Sequence, residues 1–448
     1  MIVYLETLGC SRNQVDSEIM LGKLAAAGHG ITDDPANAQA IIVNTCGFIS
    51  TASDEAVETI LEMAEFKKTG ACKRLIATGC LAQRYKDDPE LVKSLPEVDA
   101  FLGTAACEQI VDAVEERNTD ALTLFPDPNR RGFQDLSEER ELMSEGFAYL
   151  KISEGCNRHC TYCIIPSLRG KQRSRPVADI CTEAGDLVAK GVKEIILTAE
   201  NTTDYGQDLE PEAGKPVGFD TVLTELAGTL GKIDETAWIR FLYTHPKTLD
   251  EKTIRAVRDN ANICAYYDVP IQHAASSTLK RMGRPYTRED LTALFSLIRD
   301  IDPEACLRTT IIVGFPGETE EEFQDLLDFI HEVRFDHLGV FTYSDSEDLK
   351  SHGFADHVPP EVAEKRHDII MAAQAKISEE LNERHVGRTY PVLVEENPEE
   401  GVYIGRTPFQ APDVDGMTFI YSDGLDIGTL VQVRITDAFE YDIAGEKA

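Results

Sequence analysis

Hydrophobic and polar positions follow two different periods along the N-terminal third of the chain. Short runs of apolar residues, many of them β-branched, alternate with longer stretches in which apolar residues recur at helical spacing. The short runs predict strands at Ile2–Leu5, Ala40–Asn44, Arg74–Thr78 and Val98–Leu102. Strands that alternate with helices favour βαβ units, so we predict an α/β domain built on a parallel sheet.

The same alternation returns in the middle of the chain. It predicts six further strands, at Ala148–Ile152, Glu194–Thr198, Trp238–Tyr243, Ala265–Val269, Leu307–Val313 and His337–Phe341. Six strands with helical intervals favour an open (β/α)6 barrel over a closed eight-stranded one.

The pattern changes again after a long helical stretch at Pro360–His385. Short strands are predicted at Tyr390–Glu395, Gly401–Gly405, Met417–Tyr421 and Thr429–Ile435. Turn dipeptides between them favour a small antiparallel β-barrel. A turn-rich segment at 125–132 and an acidic one at 137–145 mark a boundary further upstream. We therefore predict three domains, at residues 1–131, 142–378 and 380–447.

The distribution of apolar residues bears on where the protein is located in the cell. The N-terminus lacks the basic and apolar regions of a signal peptide, and no run of about 18 apolar residues occurs. We expect a cytoplasmic protein without a membrane segment.

The charge balance bears on the partner. The chain has 79 Asp and Glu against 44 Lys and Arg, a net charge of -35. Residues 380–448 alone carry 14 acidic and 5 basic side chains, a net charge of -9. Such a surface repels a phosphate backbone, which disfavours RNA and favours a basic protein partner. A solvated acidic surface that serves only solubility is the alternative interpretation.

Three of the eleven cysteines lie within eight residues, just after the first strand of the central domain. Cys156, Cys160 and Cys163 have the spacing CxxxCxxC. Three thiolates on one loop suit three irons of a 4Fe-4S cluster and leave the fourth iron open. Structural zinc is the alternative, with His159 as a candidate fourth ligand.

Three other cysteines each follow a predicted strand of the N-terminal domain. Cys10, Cys46 and Cys80 are separated by 35 and 33 residues, one βα unit each time. Because the carboxyl ends of parallel strands share one edge of a sheet, we expect these thiols to converge and to hold a second cluster. The remaining cysteines are predicted to be core residues: Cys72, Cys107, Cys181, Cys264 and Cys306.

The segment Cys156–Cys163, with Tyr162 before its last cysteine, resembles the signature of the radical-SAM superfamily. The resemblance implies that the open iron binds S-adenosylmethionine (SAM) and that one electron splits its sulfonium to give a 5'-deoxyadenosyl radical. It also implies that Tyr162 stacks near the adenine, although a core aromatic is the alternative.

The order of the three domains resembles the radical-SAM methylthiotransferases, whose C-terminal barrel is a TRAM domain. That family has a transfer-RNA branch (MiaB-like) and a ribosomal-protein branch. The segment Leu8–Glu18, which reads LGCSRNQVDSE, is similar to the second branch. The segment Cys163–Gly170, which reads CIIPSLRG, is similar to it as well. The acidic C-terminal barrel favours the same branch.

Membership in that branch implies a reaction and its partners. The reaction is methylthiolation of the β-carbon of an aspartate in small-subunit ribosomal protein twelve, by radical hydrogen abstraction, sulfur insertion and methyl transfer. It requires two SAM molecules, two 4Fe-4S clusters, an electron donor such as flavodoxin or ferredoxin, and a sulfur donor; no general base is assigned. The alternatives are a transfer-RNA adenosine methylthiotransferase and a non-catalytic, metal-bearing RNA-binding scaffold.

The resemblance further implies SAM contacts from Glu200, Gln272, Arg308 and Gly314, each of which has a purely structural alternative. Glycine at 314 permits close approach of the backbone to adenine. Two segments depart from the family pattern. Glu200 and the residue after it read Glu-Asn where Gln-Asp is usual, and residues 343–348 lack the usual EEGT.

Overall fold

A computed structural model describes residues 1–115, 123–130, 140–211 and 216–448 of the chain. The fold has two compact units. The first consists of Met1–Met143, Ser153–Arg173 and Ser344–Leu349, and the second of Ser144–Ile152, Ser174–Tyr343 and Lys350–Ala448. The three predicted domains remain a prediction, and their first boundary, at Arg131, lies outside the described residues. Within the described ranges, no helix is long and apolar enough to cross a membrane.

The first unit contains a parallel sheet in the order β2-β1-β3-β4-β5-β6. Its strands are β1 (Ile2–Thr7), β2 (Gly30–Ile31), β3 (Ala40–Thr45), β4 (Arg74–Gly79), β5 (Ala100–Leu102) and β6 (Thr123–Leu124). The four strands expected from the sequence and their parallel arrangement are confirmed. The two strands that were not expected, β2 and β6, have two residues each, too few to show a period.

Helices cover both faces of this sheet. They are α1 (Ser11–Ala26), α2 (Ser50–Ala64), α3 (Phe66–Thr69), α4 (Cys80–Arg84), α5 (Pro89–Ser94) and α6 (Ile110–Glu115). Every residue of β3 is buried, with Ile42 in one apolar cluster and Ile41 in the other. Burial of both faces explains why β3 is an almost unbroken apolar run.

The middle of the chain supplies eight strands and eight α-helices among the described residues. The strands are β7 (Phe147–Lys151), β8 (Ser153–Glu154), β9 (Arg173–Ser174), β10 (Glu194–Thr198), β11 (Trp238–Phe241), β12 (Tyr266–Asp268), β13 (Cys306–Val313) and β14 (His337–Thr342). The helices are α7 (Ile165–Arg169), α8 (Val177–Ala189), α9 (Phe219–Leu230), α10 (Glu251–Asp259), α11 (Ser276–Arg281), α12 (Arg288–Ile301), α13 (Glu320–Val333) and α14 (Pro360–Asn382).

Six of these strands form the core of the second unit. They make two parallel sheets, in the orders β11-β10-β7 and β12-β13-β14. An isolated bridge joins Ile239 of β11 to Ile263, ahead of β12. Strand neighbours thus follow chain order, as expected for the open (β/α)6 barrel, and all six predicted strands are confirmed.

Capping residues define where two of the core helices begin. The Thr287 side chain accepts from the backbone N–H of Asp290, and the Asp290 carboxylate accepts from the Thr287 backbone at the start of α12. Thr319 and Glu322 form the same reciprocal pair at the start of α13. Each reciprocal pair is a capping box, which satisfies backbone N–H donors that the first helical turn leaves unpaired.

The C-terminal part of the second unit is a closed barrel in the order β15-β16-β17-β19-β18. Its strands are β15 (Thr389–Glu399), β16 (Val402–Arg406), β17 (Thr418–Tyr421), β18 (Leu430–Ala438) and β19 (Ile443–Lys447). The four predicted strands are confirmed. The expectation of a wholly antiparallel barrel is corrected, because β19 pairs in parallel with β17. β19 escaped prediction because Gly445 and two charged residues follow its only β-branched residue.

Candidate functional site

The three cysteines of the N-terminal domain lie at one edge of the parallel sheet. Cys10 comes three residues after β1 and caps α1, Cys46 directly follows β3, and Cys80 directly follows β4. These strands are adjacent in the order β1-β3-β4. The loops are close enough that a Cβ placed on Gly9 would lie 3.2 Å from Cys46 Sγ. The three cysteine-bearing loops are therefore neighbours, and a cluster shared by them stays a prediction.

Polar side chains fix the loops that carry these thiols. Asn13 Nδ2 donates to the carbonyl oxygens of Leu8 and Thr45, at 2.8 and 3.0 Å. Asn44 Nδ2 donates to the Asn13 carbonyl and to Ser17 Oγ, both at 2.9 Å. The polar residues around Cys10 in LGCSRNQVDSE thus lock neighbouring loops together, a role that the sequence alone did not reveal.

The backbone before Cys80 requires a glycine. Gly79 has φ +95°, and a Cβ there would lie 2.5 Å from Asn44 Oδ1 and 2.7 Å from the Thr45 carbonyl oxygen. Both the left-handed conformation and the lack of space exclude a side chain without strain. Gly79 therefore allows the Cys80 loop to lie directly against the Cys46 loop.

The three thiols experience different electrostatic environments. Burial raises the pKa of Cys80 to about 11, with Arg169 opposing the rise and the Cys10 and Cys46 thiols adding to it. Burial likewise raises the pKa of Cys46. At Cys10 burial acts in the same direction, but the guanidinium groups of Arg12 and Arg169 outweigh it and lower the pKa. The mutual influence of the thiols agrees with their proximity.

The second set of thiols lies on the loop between β8 and α7, in the same unit. The loop is closed by a hydrogen bond from the Cys156 N–H to the Gly170 carbonyl, 3.0 Å long, and Cys163 N–H donates to the Cys160 carbonyl at 3.2 Å. Gly155 has φ +82°, and a Cβ there would lie 2.3 Å from the Lys171 carbonyl oxygen. All three cysteines are partly exposed and in no disulfide.

Each donor set consists of three free cysteines. In the described parts of the chain, no group of three or more His, Cys, Asp or Glu side chains is close enough to hold one metal ion. Zinc, with His159 as fourth ligand, remains the alternative for the second set. A 4Fe-4S cluster binds each thiolate at a different iron, so a triad of free cysteines on each set of loops fits its chemistry.

Three of the predicted cofactor contacts lie in the second unit, at or just beyond strand ends. Glu200 follows β10. Gln272 has φ +68° and joins β13 through hydrogen bonds with the backbones of Thr310 and Ile312, at 2.9 and 2.8 Å. Gly314 follows β13 with φ +75°, and its N–H donates to Glu318 Oε2 at 2.6 Å. Tyr162, the remaining aromatic candidate, is half-buried in the first unit.

Arg308, the other predicted contact of the second unit, lies near the amino end of β13. Arg308 is the third residue of β13, six residues before Gly314, which is about 20 Å along an extended strand. Its Nη1 lies 2.9 Å from Asp268 Oδ1 and its Nε 3.2 Å from Asp415 Oδ1. The two carboxylates hold this guanidinium near the amino end of the strand. These contacts agree with the structural alternative for Arg308, and its SAM contact stays a prediction.

Buried polar atoms beside the predicted contacts were missed by sequence reasoning. Asn201 Nδ2, Thr202 Oγ1 and His273 Nε2 are buried without a hydrogen-bond partner among the described residues. Asn201 and Thr202 directly follow Glu200, and His273 follows Gln272. Buried polar atoms are normally paired. Such atoms at strand ends suit a polar ligand such as SAM. In the sequence, the signal for these residues is that each lies next to a predicted contact.

Comparisons with known proteins agree with this architecture. Residues 150–330 match the radical SAM superfamily, residues 386–447 match the TRAM domain, and residues 2–103 match the uncharacterized protein family UPF0004. A solved structure of the radical S-adenosylmethionine methyltransferase TsrM from Kitasatospora setae matches with a TM-score of 0.58 and 14% identity. The match covers 84% of this chain and 89% of that chain and shows a shared fold.

Curated relatives are similar over their whole length. The ribosomal protein uS12 methylthiotransferase RimO of Desulfosudis oleivorans is 49% identical, with all of both chains covered. The protein of the same name from Clostridioides difficile is 46% identical, over 99% of this chain and 98% of its own. Fold and cysteine loop define a radical-SAM enzyme with a TRAM domain. The chain belongs to the RimO family of methylthiotransferases, and this membership implies SAM and a 4Fe-4S cluster.

Proposed function

We propose that this enzyme methylthiolates the β-carbon of an aspartate in ribosomal protein uS12, with two 4Fe-4S clusters and SAM. The observation that carries the proposal is the full-length identity of 49% to a uS12 methylthiotransferase. The convergence of Cys10, Cys46 and Cys80 supports a second cluster, because it supplies three thiols beyond those of the radical-SAM loop.

The two cysteine sets have different proposed roles. Cys156, Cys160 and Cys163 would hold the cluster that binds SAM, and Cys10, Cys46 and Cys80 would hold the second cluster. When bound, the clusters and SAM would supply a 5'-deoxyadenosyl radical, sulfur and a methyl group. Cleavage of the unactivated C–H bond requires the radical. Of the six thiols, that of Cys80 is the one shielded from water, with 6% exposure.

As the family resemblance implies, we also propose SAM contacts for Tyr162, Glu200, Gln272, Arg308 and Gly314. At Gly314, the Glu318 carboxylate accepts from the backbone N–H and fixes the chain just beyond β13. Burial raises the pKa of Glu318 to about 7, against the opposing effects of Arg366 and two backbone N–H groups. Arg366 Nη1 lies 2.9 Å from Glu318 Oε1, which holds that carboxylate in place.

The acidic character of the chain supports a basic protein substrate. Residues 380–448, which include the barrel, carry a net charge of -9. Ribosomal proteins are basic, and complementary charge favours encounter with such a partner and disfavours an RNA backbone. An electron donor such as flavodoxin or ferredoxin and a sulfur donor complete the proposed partners. A ribosomal substrate supports the expected cytoplasmic location.

Cysteine variants test the separate roles. Cys160→Ala is expected to abolish SAM cleavage, whereas Cys46→Ala is expected to keep SAM cleavage and lose sulfur insertion. Each variant should lose about half of the roughly eight irons of two 4Fe-4S clusters. Cys181→Ala, a change on α8, is the matched control and should keep both activities. Equal loss of SAM cleavage in Cys160→Ala and Cys46→Ala would contradict separate roles.

A substrate competition tests the branch of the family. The reconstituted enzyme is incubated with SAM, reductant and either uS12 or an anticodon stem-loop, and the methylthio product is quantified. Product on uS12 is expected. Product on RNA alone would show that the transfer-RNA alternative is correct.

A further inference from the structure

Arg169 is a buried guanidinium that contacts both sets of cysteine loops. It ends α7, six residues after Cys163, and is 2% exposed. Its Nη1 lies 3.0 Å from Glu154 Oε1, and Glu154 precedes Cys156 by two residues. Arg169 and Glu154 therefore flank the radical-SAM loop and bind each other across its base.

The other contacts of Arg169 lie on the N-terminal cysteine loops. Nη1 also lies 2.7 Å from Asp16 Oδ2 on α1. Nη2 donates to Asn13 Oδ1 at 2.5 Å and lies 3.7 Å from Cys80 Sγ. Asn13 is the residue that joins the Cys10 and Cys46 loops, so one side chain connects all of these segments within the first unit.

The chemistry of this network calls for arginine. Asp16 and Glu154 are 3% and 5% exposed, and buried carboxylates are costly unless they are paired. A guanidinium presents five N–H donors in a rigid, forked arrangement. One nitrogen of Arg169 therefore donates to two carboxylates, and the other donates to an amide oxygen and contacts a cysteine sulfur. The single ammonium group of lysine lacks this geometry.

We propose that Arg169 is a positioning residue that holds the Cys80 loop in register with the radical-SAM loop and whose charge raises the reduction potential of the N-terminal cluster. This inference rests on the proposed function, because it requires a cluster on Cys10, Cys46 and Cys80. A positive charge beside a thiolate ligand stabilises the reduced, more negative state of a cluster. Removal of that charge lowers the potential.

The charge effect is tested by redox titration followed by electron paramagnetic resonance. Cys160→Ala provides the background, so that the signal comes from the N-terminal cluster alone. Arg169→Gln is expected to lower the potential by about 59 mV, which corresponds to a tenfold change in a one-electron equilibrium. Asp16→Asn removes a negative charge from the same network and is expected to raise the potential. Shifts of the reduction potential in opposite directions in Arg169→Gln and Asp16→Asn distinguish a charge effect from a general loss of packing around the cluster.

Arg140→Gln is the matched control. Arg140 pairs with Glu18, and both side chains are at least 97% buried. Glu18 lies seven residues along α1 from Ser11, a rise of about 10 Å. The control should destabilise the protein and leave the potential unchanged. An equal shift in Arg140→Gln and Arg169→Gln would overturn the proposal.

The positioning effect is tested with Arg169→Lys, which retains the charge and loses the fork. With Cys160 intact, this variant should keep both clusters, measured as iron per chain, and lose at least tenfold in the yield of methylthiolated uS12 per SAM cleaved. Wild-type yield in Arg169→Lys would overturn the positioning role. Should Arg169→Gln fail to fold, Asp16→Asn decides the charge effect, and an unchanged potential there would overturn it.

The outcomes separate this inference from the function on which it depends. A wild-type protein with only one cluster, or without product on uS12, would contradict the proposed function. A wild-type protein with two clusters and product, together with an unchanged potential in Arg169→Gln and Asp16→Asn, would overturn the role of Arg169 alone.

Discussion

Glu194 is a fully buried carboxylate that joins the C-terminal barrel to the core of the second unit. Its Oε1 lies 2.6 Å from Arg240 Nε on β11, and its Oε2 lies 2.7 Å from Arg406 Nη2 on β16. All three side chains are at least 96% buried. Glu194→Gln keeps the shape and removes the charge, so it leaves two guanidinium groups without their shared counter-ion.

The expected loss of stability follows from what each arginine retains. Removal of one partner from a buried ion pair typically costs about 3–5 kcal/mol. Arg406 keeps a second carboxylate, that of Glu395, at 2.6 Å, and Arg240 keeps the face of the Tyr266 ring, 4.7 Å away. We therefore expect Glu194→Gln to lower the free energy of unfolding by about 3 kcal/mol, the lower end of that range. This loss is about a hundredfold in the unfolding equilibrium constant.

The same variant has a defined pH dependence. Burial raises the pKa of Glu194, but Arg240 and Arg406 outweigh it, and the pKa falls below its ordinary value of 4.5. The stabilising contribution of a carboxyl group with a lowered pKa is complete above that value and is lost as the pH falls through the folded-state pKa. The difference between wild type and Glu194→Gln should be full at pH 7 and should shrink as the pH falls below the ordinary value of 4.5.

Urea unfolding followed by tryptophan fluorescence provides the measurement. Trp238, the only tryptophan of the chain, begins β11, two residues before Arg240, so its signal reports this region. Glu251→Gln is the control, because its partner Arg255 lies at 2.6 Å on an exposed helix face, and the change should cost below about 0.5 kcal/mol. Equal unfolding free energies for both variants at pH 7 would refute this reasoning.

Three further predictions concern the loops and the surface. Gly79→Ala places a Cβ 2.5 Å from Asn44 Oδ1 and should cost about 1–3 kcal/mol and reduce bound iron; wild-type iron and stability would contradict it. Asp348→Asn breaks the pairing to Arg84 at 2.7 and 2.8 Å and should cost about 1 kcal/mol in urea unfolding, whereas an unchanged midpoint would count against that clamp. Binding of uS12 should weaken as salt rises, and an affinity independent of salt would exclude charge attraction.

Much of the fold was predictable because its strands are buried and apolar. β10 matches its predicted range at both ends, Glu194–Thr198, since turns and polar residues bound the apolar run clearly. The strands that were missed are very short or, like β19, weak in β-branched residues, and only their neighbours make them strands. The parallel pairing of β19 with β17 depends on closure of the barrel, which no local pattern encodes.

The candidate site was predictable to the extent that it is local in sequence. Cys156, Cys160 and Cys163 lie on one loop, so their spacing was enough to predict a shared metal site. The convergence of Cys10 with the other two N-terminal cysteines required the sheet order. The contacts of Arg169 were not predictable, because its partner Asp16 is 153 residues away and pairs with it only after folding.

Mass spectrometry of uS12 is the most direct test of the central claim. Reconstituted enzyme is incubated anaerobically with uS12, SAM and a reductant, and fragment spectra locate any modification. The proposed function predicts replacement of one hydrogen by a methylthio group on a single aspartate, with no product from Cys46→Ala. Unmodified uS12 in the presence of two intact clusters and active SAM cleavage would contradict it.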